Sequence, residues 1–553
     1  MERTGAQVMV ACLEEQGVKT VFGYPGGAIL PFYDALRDSS IRHVLTVHEQ
    51  GAAHAADGYT RASGEVGVCI ATSGPGATNL VTGLACAFLD SIPLIAITGQ
   101  VARSMIGRDA FQEVDITGVT MPVTKHNFLV KYPEQLADTI RLAFTIARSG
   151  RPGPVLIDVP RDIQTELAPY ELYEGKKNCV NAKALDNADS IVQSAKTIAA
   201  AKRPVLLVGG GAIAAEAGAA VTMLAEKLSI PVVSTLMGLG AIDGNHPLFI
   251  GMTGLHGLEK ANKAVQNADC LIAVGSRFND RVTGDRSLYS YGKTVIHMDV
   301  DPAEIDKNVC SGIGVPGDLK KNIRLLTEQL EPLAHEEWQQ TIATWTDGTG
   351  DGEALGVMKQ INIALQERDA IVVTDVGQHQ MWAAQHIKIR KPRHWITSGG
   401  LGAMGFGTPA AMGAQFACPD KEVVVIAGDG GFKMTSQELF TIAAFNLPIT
   451  VVVFNNSGLG MIRQLQDALF NGRYMSCELP FAFDFVQYAA AFGLTGRHIG
   501  AGDDVRQALT EAMQDRKPNL LVVDVPPTER VRPMVRPNAT LNDFVAFPEE
   551  KKN

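Results

Sequence analysis

Short runs of β-branched and other apolar residues alternate along the chain with Ala-rich stretches whose apolar positions recur at helical spacing. The runs fall at residues 66–71, 94–98, 155–159, 205–208, 271–274, 295–299, 371–374, 423–427, 449–454 and 520–525. Most are bare of charge on both faces, which suits parallel strands covered by helices rather than a half-solvated antiparallel sheet. The pattern predicts an α/β protein, with mainly parallel sheets flanked by helices from end to end.

Two stretches break the rhythm. Residues 167–189 (LAPYELYEGKKNCVNAKALDNAD) turn polar and lose their strand signals, and residues 334–355 carry charges, Trp338, Trp345 and the Gly-rich TDGTGDGE. Both read as linkers. They divide the 553 residues into segments 1–166, 190–333 and 356–553, close to the roughly 150 residues expected per domain. The outer two segments are candidates for distant copies of one α/β plan.

Apolar residues make up 46% of the chain against 20% charged, a globular balance. With 59 acidic and 49 basic residues the net charge is −10, so the overall field repels phosphate backbones and nucleic acid is excluded as an expected partner. An anionic ligand would need local devices such as helix N-termini, a metal ion or single arginines. The eight cysteines (Cys12, Cys69, Cys86, Cys179, Cys270, Cys310, Cys418, Cys477) are scattered without a Cys-x-x-Cys pair, and read as small buried residues in a reducing compartment. The chain enters an amphipathic helical pattern directly after Thr4, and no apolar stretch reaches the roughly 18 residues of a membrane span. The cytoplasm is the expected location.

The strongest local chemistry lies in VVVIAGDGGF (423–432), a buried strand ending in Gly428-Asp429-Gly430-Gly431, with a helix expected over 435–445. A second strand, ITVVVFNN, follows. Strand, helix and parallel strand form one crossover, so Asp429 and Asn456 should emerge at the carboxyl ends of neighbouring strands. An Asp carboxylate and an Asn carbonyl are hard oxygen donors suited to Mg2+ completed by phosphate oxygens.

The GDGG and NN pair resembles the thiamine-diphosphate signature, and further stretches resemble the acetohydroxyacid synthase (acetolactate synthase) family across the whole length. They are FGYPGGAILPFYDAL (22–36), HEQGAAHAADGYTRA (48–62), TSGPGATNL (72–80), DSIPLIAITGQV (90–101), DAFQEVD (109–115), TKHNFLV (124–130), SGRPGPV (149–155), TDVGQHQMWAAQ (374–385) and SGGLGAMGFG (398–407). The resemblance implies outer domains of the thiamine-diphosphate-binding fold around a Rossmann-like central domain. It also implies decarboxylation of pyruvate and condensation with a second 2-ketoacid, either pyruvate or 2-ketobutyrate, at the first common step of branched-chain amino acid biosynthesis.

Residue by residue, Glu49 matches the glutamate that hydrogen-bonds the aminopyrimidine ring, for which burial beside the ring should raise the carboxyl pKa. Met404 matches the residue that props the cofactor in a bent conformation. Gly402, Gln378, His379, Gly428, Gly430, Gly431 and Met461 match other positions around the cofactor, and Gly458 should add a backbone carbonyl to the metal. Gly27, Phe111 and Gln112 match the catalytic cavity, and Arg281 matches the arginine that meets the acceptor's carboxylate.

The middle segment carries Gly209-Gly210-Gly211 after a strand, GMTGLHG (251–257, with Gly254, Leu255 and His256), GSRFNDRVTG (275–284, with Gly275, Arg277 and Arg281) and HMDVDPAEI (297–305, with Asp299). Glycine-rich strand ends beside helix N-termini suit a dinucleotide pyrophosphate, although no G-x-G-x-x-G is present. The resemblance makes that ligand FAD, with Arg151 and Asp318 also among the matches and with no net redox role for the flavin.

In this family the cofactor lies between the N-terminal domain of one subunit and the C-terminal domain of another, so a homodimer or homotetramer is implied. A separate small regulatory subunit stays open. Four residues depart from the family pattern: Leu465 stands where a Trp associated with 2-ketobutyrate preference is common, and Leu255, Arg161 and Asn279 replace Met, Lys and Asp at substrate and flavin contacts. Leu465 predicts weaker discrimination in favour of 2-ketobutyrate. The competing readings are pyruvate oxidase, a 2-ketoacid decarboxylase, a flavin-free catabolic acetolactate synthase on the same plan, or a non-catalytic assembly subunit.

Overall fold

The computed structural model describes residues 2–172, 187–500 and 502–547. Cys179 and most of the polar stretch at 167–189 lie outside the described residues.

Three six-stranded parallel sheets follow one another along the chain. The first contains β1 (Thr20–Gly23), β2 (Arg42–Leu45), β3 (Gly67–Ala71), β4 (Leu94–Gln100), β5 (His126–Leu129) and β6 (Val155–Pro160), in spatial order 2-1-3-4-6-5. The second contains β7 (Pro204–Val208), β8 (Val232–Ser234), β9 (Phe249–Met252), β10 (Cys270–Val274), β11 (Thr294–Asp299) and β12 (Ile313–Pro316). Its order, 9-8-7-10-11-12, is that of a Rossmann sheet. The third contains β13 (Ala370–Thr374), β14 (Trp395–Ile396), β15 (Glu422–Gly428), β16 (Ile449–Asn455), β17 (Thr495–Ile499) and β18 (Asn519–Asp524). Its order, 14-13-15-16-18-17, repeats the first. The outer segments are two copies of one plan around a Rossmann-type centre, as the chain pattern suggested.

All ten expected strands are present. Their residues are buried on both faces, as in β3, β4, β10 and β13, because helices cover each sheet from both sides. One apolar core joins the first and third domains: Ala52, Ala55, Ala56 and Tyr59 of the helix Glu49–Ser63 pack with Ala410, Ala411 and Ala414 of the helix Gly407–Ala417. Small side chains let these helices approach closely. An added methyl on Gly58 or Gly413 would overlap the facing backbone.

The structure corrects four expectations. Leu167–Pro169, read as linker, is a short strand paired antiparallel with Glu2–Thr4, which precedes the first helix. The second linker stretch holds the helix Glu336–Ala343, whose Trp338 is buried and donates to the Pro204 carbonyl; Trp338 meets Trp345 edge to face and packs with Val205, Leu207 and Leu271 in the core of the second domain. The helix expected over 435–445 begins earlier, at Asp429, and is broken by a 3-10 turn at Ser436–Glu438 before Leu439–Ala444. Cys310 is exposed and Cys418 half-buried, while Cys12, Cys69, Cys86, Cys270 and Cys477 are buried. Among the described residues no helix is long and apolar enough to cross a membrane.

Candidate active site

Asp429 and Asn456 stand where the crossover should deliver them. Strands β15 and β16 pair in parallel with Gly428 opposite Phe454, so the residues just past each strand meet at one sheet end. The Gly458 N–H donates to Asp429 Oδ2 at 3.2 Å and to Asn456 Oδ1 at 3.1 Å. Two hard oxygens, the donor type Mg2+ prefers, thus converge on one N–H. Burial pushes the Asp429 carboxyl up to about 6, with Lys433 opposing; a bound divalent cation would hold it ionised. Among the described residues no group of three His, Cys, Asp or Glu side chains could hold a metal. The pair here is instead one carboxylate and one amide, hard oxygen donors of the kind a cation shares with phosphate oxygens. Gly458 is held in place by Cys477 and Leu479, whose backbones bond Leu459 and Ser457.

A cavity of about 1560 Å³ opens beside this pair, lined by residues of the second and third domains and by Arg61, Asp90 and Arg151 of the first. Gln378, His379, Gly402, Met404, Gly428, Asp429, Gly430, Gly431, Asn456, Gly458, Met461 and Leu465 lie on its wall. His379 is buried, its Nε2 has no partner among the described residues, and burial lowers its pKa to about 3. A neutral imidazole with one unmatched nitrogen fits a site that receives a polar ligand. Met404 Cε comes beside Gly430, next in the chain to Asp429.

The same cavity continues along the second sheet past Arg151, Gly210, Gly211, Leu255, His256, Gly275, Arg277, Arg281, Asp299 and Asp318. Three buried polar atoms here, Ser276 Oγ, His256 Nδ1 and Asn279 Oδ1, have no partner among the described residues, so the wall offers hydrogen bonds to a long polar ligand. Gly211 and Gly275 touch backbone to backbone, and any Cβ there would overlap its neighbour. Asp299 is raised to about 6 by burial, and Asp318 caps the helix Leu319–Glu328. Gly209 and Gly254 are not on the wall; they pack against Gly275 and Arg281. Arg281 is 70% exposed and only loosely paired with Asp280 at 3.6 Å. Its guanidinium is free to meet an entering anion.

Glu49, Gly27, Phe111 and Gln112 do not line that cavity. They gather instead around the turn after β3, residues 72–76. Thr72 Oγ1 accepts from Ala28 N, Gly74 abuts Gln112, and Gly76 abuts Glu49. Glu49 opens its helix, is 9% exposed, and accepts from Asn79 Nδ2 at 3.0 Å through Oε2. Its Oε1 faces Gly76, where a Cβ would sit 3.2 Å away; glycine keeps that oxygen uncovered. Phe111 is 88% exposed. One chain therefore carries two incomplete clusters, one on each outer domain.

Three positioning groups escaped the sequence reading. Buried Asp375 accepts from Gly405 N and Gly407 N at 3.0 Å; Ser398 Oγ accepts from Gly402 N and Ala403 N. Asp90 accepts from Gly399 N, Gly400 N and Arg61. Together they shape the loop that presents Met404. Asp375 sits inside the quoted TDVGQHQ, yet only its burial beside a Gly-rich loop could have marked it.

Family models match all three domains: "Thiamine pyrophosphate enzyme, N-terminal TPP binding domain" over residues 3–119, the "central domain" over 191–326 and the "C-terminal TPP binding domain" over 375–525. The acetolactate synthase isozyme 2 large subunit of Escherichia coli (strain K12) is 48% identical over 98% of this chain and 99% of its own. A probable acetolactate synthase large subunit of Methanocaldococcus jannaschii is 45% identical over 98% and 95%. The acetolactate synthase large subunit of Parasynechococcus marenigrum is 46% identical over 99% and 91%. With such identity along its entire length, and with a metal-ready oxygen pair at the predicted strand ends, the chain belongs to the acetolactate synthase large-subunit family of thiamine pyrophosphate enzymes.

Proposed function

We infer that the chain is the catalytic chain of an acetolactate synthase, which decarboxylates pyruvate and joins the remaining two-carbon unit to a second 2-ketoacid in branched-chain amino acid biosynthesis. The observation that carries this reading is the convergence of Asp429 Oδ2 and Asn456 Oδ1 on the Gly458 N–H, on the wall of a cavity that Met404 and His379 also line. Thiamine diphosphate, when bound, supplies an acidic carbon that adds to a ketone and accepts the electron pair left by carbon dioxide.

The chain's own groups do the rest. Asp429, Asn456 and the Gly458 carbonyl would hold Mg2+, whose charge would neutralise the diphosphate. Glu49 would offer Oε1 to the pyrimidine ring and exchange a proton there, while Asn79 fixes its other oxygen. Arg281 and Leu465, both on the cavity wall, meet the acceptor ketoacid. The unmatched polar atoms along the second sheet fit FAD as a bound structural cofactor, held by Gly210, Gly211, Arg277, Asp299 and Asp318.

Because Glu49 and Asp429 belong to separate clusters, each site takes Glu49 from one copy and the metal pair from another. Exposed apolar side chains suited to such an interface include Phe111, Met121, Phe440, Met475 and Phe481. The relatives' designation as large subunits supports a smaller partner chain as well.

The direct test incubates purified protein with pyruvate, with and without 2-ketobutyrate, omitting thiamine diphosphate, Mg2+ and FAD in turn. Acetolactate that disappears without thiamine diphosphate or Mg2+ supports the reading. Acetaldehyde or acetyl phosphate as the product would contradict it.

A further inference from the structure

Glu438 lies nine residues beyond Asp429, at the end of the 3-10 turn that follows the Asp429 helix. It is fully buried and points away from its own domain. Its two oxygens accept the Val47 N–H at 3.1 and 3.2 Å, and Oε1 also accepts the His48 N–H at 3.1 Å. These are the two residues that precede Glu49. Thr441 Oγ1 completes the cluster, 3.1 Å from both Glu438 Oε2 and the Leu45 carbonyl. Gly51, in the first turn of the Glu49 helix, presses on the same carboxyl: a Cβ at 51 would overlap Oε1.

These partners are all neutral, and burial pushes the Glu438 carboxyl up to about 7. A buried carboxyl without a cationic partner is costly. Packing alone would be served better by an apolar side chain. What the carboxyl supplies and an apolar group cannot is a pair of acceptors for the backbone on which the Glu49 helix begins.

We propose that Glu438 is a positioning residue for Glu49: reaching from the metal-holding domain, it fixes the Val47 and His48 N–H groups and thereby sets where the Glu49 carboxyl stands. The inference rests on the reading of Glu49 as the group that exchanges a proton with the cofactor. Its consequence is a rigid link, within one chain, between the Glu49 of one site and the Asp429 that serves the other. Displacement of a reacting group by about 1 Å costs on the order of 10²-fold in rate.

The test compares Glu438→Leu, which keeps volume and removes both acceptors, with Glu438→Gln, whose carbonyl can still accept both N–H groups while its amide donates to Thr441. Gly51→Ala disturbs the same contact without touching Glu438, and carries the test if Glu438→Leu does not fold. In the holoenzyme, Glu438→Leu or Gly51→Ala should lower kcat by about 10–100-fold with KM for pyruvate little changed, and Glu438→Gln should restore most of it. In the cofactor-free chain the same two variants should speed amide hydrogen exchange over residues 45–50. Combined with Glu49→Gln, neither should slow turnover beyond Glu49→Gln alone.

Wild-type kcat in both Glu438→Leu and Gly51→Ala, or multiplicative losses with Glu49→Gln, would overturn the inference. Full turnover in Glu49→Gln would sink the underlying reading of Glu49, and this inference with it. Reduced turnover there beside full turnover in both Glu438→Leu and Gly51→Ala sinks the inference alone.

Discussion

In both outer domains the third and fourth strands lie side by side in the same 2-1-3-4-6-5 order, yet what leaves their carboxyl ends differs. After β3 the first sheet runs into TSGPG at 72–76, whose glycines clear space for Gln112 and Glu49. After β15 the third sheet runs into Asp429-Gly430-Gly431, and β16 ends in Asn455-Asn456. In the proposed function, one copy presents a carboxyl to exchange a proton and the other presents oxygens for a cation. A shared topology places ligands at strand ends without deciding which ligands, and a few side chains have divided the labour between the copies.

That division predicts separable losses. Glu49→Gln should reduce kcat by roughly 10²–10⁴-fold, the worth of a positioned acid or base, while thiamine diphosphate affinity measured with Mg2+ stays near wild type. Equal losses of rate and of cofactor affinity would break the contrast. Asp429→Ala should do the opposite, weakening cofactor retention by about 10–100-fold, the worth of one charged contact, with added Mg2+ recovering part of the turnover. Titration of cofactor affinity against Mg2+ measures it.

Leu465→Trp should sharpen selectivity alone, moving the 2-ketobutyrate to pyruvate product ratio by about 1 kcal/mol or slightly more. Competition assays that leave the ratio unchanged would remove Leu465 from the acceptor site. The smallest effect concerns the first sheet, where buried Asp158 accepts from Thr98 and Gln100 at 2.7 and 2.9 Å. Burial raises its pKa from 3.8 to about 7. Between those values the folded chain keeps a proton that the unfolded chain has lost, so this group makes stability fall as pH rises from about 4 to 7. Asp158→Asn mimics the protonated form, and melting temperature followed over that range should show a shallower decline than in the unaltered chain.

Legibility in the sequence followed burial. The ten strands read from their apolar runs are central ones with both faces covered. Every edge strand was missed: β2, β5, β9, β12, β14 and β17. Edge strands are short and mix polar with apolar residues because one side meets solvent or a covering loop, as in TGRHI of β17 and HNFL of β5. Interior β1 and β8 were missed for their brevity, at four and three residues. The meeting of Asp429 and Asn456 was legible because one crossover unit brings them together. Glu49 was legible only through the family resemblance, since a glutamate at a helix start has many ordinary uses. Asp375, Ser398 and Glu438 were illegible because their roles consist of contacts to backbone distant in sequence, such as Glu438 to Val47 across 391 positions.

The account's central claim is that each site is shared between two copies, Glu49 from one and the Asp429–Asn456 pair from the other. Co-expression of a Glu49→Gln chain with an Asp429→Ala chain tests it most directly. Random pairing makes half the dimers mixed, each with one intact site of two, so about a quarter of wild-type acetolactate synthesis should return. Activity no higher than that of the two variants expressed separately would contradict the claim.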